Sequence, residues 1–317
     1  MPKKLLMKNL QAIDIVYNKA PDSQKTWIET TNRYWLDGGL RYFKKSLENH
    51  VQLSKTLADS ILNNLPKKPI VVLDIGAGYG GVSINFALRG IKVIAVEPSA
   101  TDRRVIKYLV NRHSKAKGSI TVIDGFAESL HIAKNSIDLC ILSQVLEHVD
   151  DPEKTMREVS RVLKKNGYCH LTSPNYLFPV EQHYKIPYFP LMRRRLFSKW
   201  AIFLFKTLNL RNVKNVESRD FSQVESFIKT IVYTTDKMIV KLCRKNNLKI
   251  VWSAREYQKN VFKQIITHWR QNPKLIQIPL ILLSLPKKIF RSILALIGIL
   301  PIKLEYIIQK NSVQRTG

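Results

Sequence analysis

The stretch Leu73-Asp-Ile-Gly-Ala-Gly-Tyr-Gly-Gly81 decides how this chain folds. It begins inside an apolar run, Ile70-Val-Val-Leu73, that reads as a buried strand. It leads into a helix from about Gly81 to Arg89 that Gly90 stops. Strand, glycine-rich turn and helix form one β-α unit, and the same alternation continues outward. Val93–Val96, ending at Glu97, reads as a second strand, Ile120–Ile123 as a third, Ile137–Leu142 as a fourth and Tyr168–Thr172 as a fifth. Between them, Val105, Ile106, Leu109 and Val110 mark one helix. Met156, Val159, Val162 and Leu163 mark another, opened by Asp151-Pro152 and closed by Gly167. Five such steps with short connections predict an α/β fold with a doubly wound sheet.

Ligands of such sheets bind beyond the C-terminal ends of the strands. Gly76, Gly78 and Gly80 let the backbone turn sharply and approach a ligand, with Ala77 between them, and the following helix aims its amides there. The glycines alone leave two readings, because Gly76, Gly78 and Gly81 also spell the dinucleotide pattern Gly-x-Gly-x-x-Gly. Asp74 separates them: a carboxylate two residues before the first glycine repels a pyrophosphate and favours a cationic ligand. S-adenosylmethionine fits, having a sulfonium and an ammonium, no phosphate, and a ribose whose two hydroxyls Glu97 can hold. The plainer alternative makes Asp74 a loop cap and Glu97 a solvated strand end.

At this point the sequence resembles the class I S-adenosylmethionine-dependent methyltransferases, over about residues 55 to 175. Val72-Leu-Asp-Ile-Gly-Ala-Gly-Tyr-Gly80 is similar to the family's glycine loop and Val96-Glu-Pro98 to its acidic second-strand end. Ile123-Asp-Gly-Phe-Ala-Glu128 resembles the third-strand segment, which implies that Asp124 and Phe126 contact adenine. Ser143-Gln-Val-Leu-Glu-His-Val149, with Asp151-Pro152 and Arg161–Gly167, resembles the fourth-strand stretch of small-molecule O-methyltransferases such as those of ubiquinone biosynthesis. The resemblance implies a Rossmann-like methyltransferase sheet, S-adenosylmethionine as cofactor, and Asp74, Gly76, Ala77, Gly78, Gly80, Glu97, Pro98, Asp124, Gly125, Phe126 and Ser143 around it.

Glu147 and His148 are the catalytic candidates. Methylating an alcohol requires removal of one proton, which suits a group titrating near neutrality. His148 is placed to be that base, unless the pair simply fixes the loop beneath the cofactor and the enzyme works by proximity. His113 and His131 read as surface residues, and no histidine or cysteine spacing suggests a metal site.

Composition sets the rest. The 317 residues carry 52 basic and 24 acidic side chains, a net charge of +28. With 45% apolar residues the chain is folded, not a disordered polycation. Residues 1–70, 71–175 and 176–317 carry +6, +3 and +19, so the excess lies outside the chemistry. Cys140, Cys169 and Cys243 form no Cys-x-x-Cys pair, which points to a reducing, cytoplasmic setting, and the N-terminus lacks the apolar core of a signal peptide.

The expected domains are an N-terminal helical segment, 1–52, a methyltransferase domain, 53–267, with a lid inserted at 176–232, and a C-terminal extension, 268–317. Lid residues 176–206 hold nine of the 29 aromatics beside Arg193-Arg-Arg195, and Glu181 and His183 could reach the site from there. Lys237–Asn247 and Leu248–Trp252 read as the last helix and strand. Leu275–Pro286 and Ser292–Ile302 are apolar runs of 12 and 11 residues, each too short to span a bilayer, with Lys287, Lys288 and Arg291 between them. They suit helices lying at an anionic membrane surface, or else a helix pair packed on the domain or on a partner. The leading expectation is O-methylation of a lipid-linked saccharide or prenylated, amphipathic small molecule at a membrane. An RNA methyltransferase using the basic region, or a non-catalytic membrane adaptor, is the alternative.

Overall fold

The computed structural model describes residues 39–176, 234–254 and 303–312, together with residues 196, 199, 200, 203 and 232. Helix α1 (Gly39–Asn63) leads to β1 (Val71–Ile75), α2 (Gly81–Ala87), β2 (Lys92–Val96), α3 (Ala100–Arg112) and β3 (Ile120–Ile123). Then come β4 (Ile137–Ser143), α4 (Pro152–Val162), β5 (Leu163–Pro174), α5 (Asp236–Lys245), β6 (Leu248–Ser253) and β7 (Lys303–Lys310). The sheet order is β3-β2-β1-β4-β5-β7-β6. Strands β1 to β5 pair in parallel, and β7 runs antiparallel to both β5 and β6. The doubly wound α/β sheet expected from the sequence is present.

Apolar alternation loads both faces of the sheet. Leu73, Ile75, Cys140, Leu142, Cys169 and Leu171 meet Met156, Val159 and Val162 of α4 and Ile239 and Leu242 of α5. On the opposite face Val72, Val93, Leu139 and Ile141 meet Ala58 and Ile61 of α1 and Phe86 and Ala87 of α2. Strands buried on both faces read as continuous apolar runs, which is why β1 and β4 were legible. The helix starts are equally local: Asp151 Oδ1 accepts from the amides of Glu153 and Lys154, each at 3.0 Å, with Pro152 opening α4.

Three expectations are corrected. The boundary at 52/53 falls inside α1, a continuous helix whose Ser54 and His50 pack so closely on Gly81 that a side chain there would collide with both. Helix α4 ends at Val162, and β5 starts at Leu163. Gly167 lies within that strand, at a register break between the pairs Ile137/Leu163 and Leu139/Tyr168. The sheet does not close at 267, because β7 enters between β5 and β6 from residues 303–310, which had been placed in the extension. Leu304, Tyr306 and Ile308 complete the core beneath α5, and the Tyr306 hydroxyl donates to Asp236 Oδ1 at 2.6 Å. On the other face Glu305 Oε1 meets His170 Nε2 at 2.9 Å, and Gln309 Nε2 donates to the Tyr168 hydroxyl at 3.0 Å. The apolar runs at 275–302 and most of the lid, 177–231, lie outside the described residues. No helix among the described residues is long and apolar enough to cross a membrane.

Two glycines separate backbone strain from steric conflict. Gly80 has φ +76 and a Cβ there would lie 2.8 Å from Ile106 Cγ1, whereas Gly118 has φ +82 and a Cβ there would meet nothing within 4 Å. Gly118→Ala should cost about 1 kcal/mol, the left-handed penalty alone. Gly80→Ala should cost a further 1–3 kcal/mol or so from overpacking against α3. Thermal melts of the two variants check the difference, and equal losses would show that Ile106 moves aside freely.

Candidate active site

The loop after β1 is held against the end of β2. The amides of Gly76 and Ala77 both donate to the Val96 carbonyl, at 2.8 and 3.0 Å. Gly76, Gly78 and Gly80 all take left-handed φ, +65, +53 and +76, and a Cβ on Gly76 would lie 2.7 Å from Val145 Cγ2. The bare backbone thus passes between β2 and the loop after β4, where a side chain would not fit.

Glu97 locks this arrangement. Its Oε2 accepts from the Gly78 amide and its Oε1 from the Ser99 amide, both at 2.8 Å, so one carboxylate ties the loop after β1 to the turn that starts α3. The side chain is buried, and burial pushes its carboxyl up to about 7; the two amides and Arg103 pull the other way, and Asp74 adds to the rise. Arg103 Nη1 donates to the carbonyls of Glu97 and Pro98, each at 2.7 Å, and to Asp124 Oδ1 at 3.0 Å. It thereby joins the ends of β2 and β3.

A cavity opens above these strand ends. Gly76 lines it from β1, Glu97 and Pro98 from β2, Gly125 and Ala127 from the segment after β3, and Gln144, Val145, His148 and Val149 from the loop after β4. The structure therefore gathers Gly76, Glu97, Pro98, Gly125 and His148 as expected neighbours. Ala77, Gly78 and Gly80 shape the loop through their backbone. Asp74 lies behind that loop, buried, with its Oδ2 accepting the Ser83 hydroxyl at 2.6 Å, and burial outweighs the Ser83 hydrogen bonds to lift its carboxyl to about 6. Asp74 acts on the site through its field and by bracing α2, not by lining the cavity. Asp124 is paired with Arg103 at the surface, and Phe126 flanks the lining made by its neighbours Gly125 and Ala127. The Ser143 hydroxyl accepts from Thr172 Oγ1 at 3.4 Å.

Glu147 and His148 diverge. Glu147 is buried and its Oε2 accepts the Ser173 hydroxyl at 3.0 Å, while its carbonyl accepts from the Val232 amide at 2.8 Å. Ser173 continues to Thr234 at 2.8 Å, and Thr234 to the Pro174 carbonyl at 2.9 Å. Glu147 thus pins the segment entering α5 to the end of β5, and His148 alone of the pair faces the cavity. His183 and Glu181 lie outside the described residues.

Sequence reasoning missed Gln144, Arg103 and Asp102. Gln144 lies within Ser143–Val149, yet only the turn after β4 brings it to the cavity. Asp102 is fully buried, and neither carboxyl oxygen has a hydrogen-bond partner among the described residues. Burial first, and then the charge of Glu97, push it well above the usual carboxylate range, while Arg103 pulls the other way. Its spacing within α3 carries no signal for this.

The donor set fits a ribose-bearing ligand. A carboxylate held by two amides keeps lone pairs for two hydroxyls, and the glycine loop allows close approach. Residues 73–171 match the family described as methyltransferase domain. Among similar proteins, an uncharacterized protein of Mycobacterium tuberculosis is 29% identical over 133 residues, 41% of this chain and 45% of that one. An uncharacterized methyltransferase of Mycobacteroides abscessus is 33% identical over 171 residues, 54% of this chain and 64% of that one. The chain spans a little under half the length of curated relatives it matches, 45% and 42% in two cases. A geranyl diphosphate methyltransferase, solved with GPP and sinefungin, is 14% identical, with a TM-score of 0.46 over 80% of this chain and 76% of that one.

The Glu97 shift sets opposite pH dependences for the empty fold and for the cofactor. A raised carboxyl stabilises the fold below its unfolded value and loses that contribution as pH rises from about 4.5 through about 7. Hydroxyl donors prefer the ionised form, so affinity for S-adenosylhomocysteine should rise over the same window and level off above it. Calorimetry between pH 5.5 and 8.5 tests this. Glu97→Gln should bind at least about tenfold more weakly at pH 8 and lose the slope; a slope that persists in this variant would place the titrating group elsewhere.

Proposed function

We propose that this protein transfers a methyl group from S-adenosylmethionine to a hydroxyl of an amphipathic acceptor, such as a lipid-linked saccharide or a prenylated phenol, at an anionic membrane surface. The observation that carries the chemistry is His148 lining the same cavity as Glu97, while Glu147 is turned away into structural work. When bound, S-adenosylmethionine supplies a methyl on a sulfonium that leaves its electron pair on sulfur as the carbon–oxygen bond forms. Glu97 holds the ribose and sets the ligand's position along the strand ends. Gly76 and Val145 shape the narrow passage beside it. His148 takes the hydroxyl proton, and neutral imidazole is the competent form.

The membrane part rests on the sequence: two short apolar runs flanked by cations, in the region 176–317 that carries +19. Long aliphatic runs suit a lipid surface better than a phosphate-tracking groove, which disfavours a nucleic-acid substrate.

Two measurements test the reading. His148→Asn should lower kcat by about 10²-fold or more with transfer followed from labelled cofactor into lipid extracts, and should change S-adenosylhomocysteine affinity far less. A purely positional loop residue would instead weaken binding and turnover together. Removing residues 272–302 while keeping β7 should abolish co-sedimentation with phosphatidylglycerol vesicles; persistent binding would show that the anchor lies elsewhere.

A further inference from the structure

We propose that Gln144 orients the methyl acceptor, and that this acceptor carries a second O–H or N–H donor beside the hydroxyl that is methylated. This rests on the methyltransferase reading above and deepens it by naming the acceptor's local chemistry.

The backbone gives the first argument. Four described residues other than glycine have positive φ: Asn135, Gln144, Asn166 and Asn247. Asparagine tolerates the left-handed region because its short amide bonds locally, but glutamine has no such excuse. At φ +59, Gln144 occupies a position that glycine or asparagine would fill more easily. A strained residue that lines the cavity is retained for its side chain.

The hydrogen bonds give the second. Gln144 donates its amide N–H to the Thr172 carbonyl at 3.0 Å, which fixes the turn. Its side-chain Nε2 donates to Thr172 Oγ1 at 3.2 Å, and Thr172 passes its own proton to Ser143 Oγ at 3.4 Å. Because the Thr172 proton is directed at Ser143, its oxygen must accept, and this places the Gln144 NH2 group on Thr172. The carbonyl Oε1 is left as an acceptor, with no partner among the described residues. Thr172 is itself buried, so the tether is rigid.

The third argument is position. Glu97 and Gly125 belong to the β2 and β3 end of the cavity, and Gln144 and His148 to the loop after β4. With the ribose on Glu97, the reacting end of the cofactor faces the β4 end. There His148 takes the proton of the nucleophilic hydroxyl, and Gln144 Oε1 receives a hydrogen bond from a neighbouring donor. A 1,2-diol or a vicinal amino alcohol satisfies both; an isolated hydroxyl engages His148 alone.

Two probes separate the possibilities: catechol, whose hydroxyls are adjacent, and guaiacol, in which a methyl ether replaces one of them. The wild-type protein should methylate catechol with a kcat/KM about tenfold above that for guaiacol. Gln144→Gly suits the backbone, so its melting temperature should stay level or rise and its S-adenosylhomocysteine affinity should stay within about twofold. Its kcat/KM for catechol should fall about tenfold, to the level of guaiacol, which should not change. Equal losses on both probes would overturn the role of Gln144. Cofactor binding without methylation of catechol would overturn the paired-donor acceptor, and failure of the wild type to bind S-adenosylhomocysteine would instead defeat the methyltransferase reading beneath it.

Discussion

Everything at the upper edge of this sheet depends on one buried carboxylate. Glu97 accepts two backbone amides, Gly78 on the glycine loop and Ser99 at the start of α3, so the loop after β1 cannot move without the turn after β2. Charged acceptors make the stronger hydrogen bonds, and removing them from water strengthens them further once the amides are in place. The same burial resists the charge, and that tension defines the site. The group that shapes the loop also lines the cavity.

The surroundings distribute a small amount of charge with care. Asp74, Glu97 and Asp102 are all buried near the glycine loop. Asp74 is answered by Ser83 and Glu97 by two amides, while burial holds the Asp102 carboxyl well above its ordinary range. Arg103 meanwhile spans to Asp124, carrying the constraint from β2 to β3. Further along the edge Glu147, Ser173 and Thr234 do for β4 and β5 what Glu97 does for β1 and β2. Polar ties between loops, laid over an apolar sheet, hold the cavity lining in register.

Much of this was legible because its causes are local. A glycine triplet after an apolar run, an acid 21 residues beyond Gly76 and an Asp-Pro helix start each act over a few residues. The alternation of Leu304, Tyr306 and Ile308 with Glu305 and Gln309 was equally local, yet the longer apolar runs before it masked its meaning. Its partners, Tyr168 to Pro174 and Leu248 to Ser253, are 50 to 140 residues away, and no pattern within the strand announces them. Glu147 and His148 show the same limit at single-residue scale: adjacent in sequence, they part because one is buried against Ser173 and the other lines the cavity.

The sequence by itself determined the class of sheet, the glycine loop and the acid that faces it, since hydrophobic period and backbone permissiveness are properties of neighbouring residues. It also located the excess positive charge outside the catalytic segment. Only the tertiary structure decided that Asp74 braces a helix rather than lining the cavity, that Asp102 is buried beside Glu97, and that Gln144 and His148 line one cavity. Those outcomes depend on which donors arrive from distant strands and on how much water is excluded when they do, and neither quantity is written in any one stretch of chain.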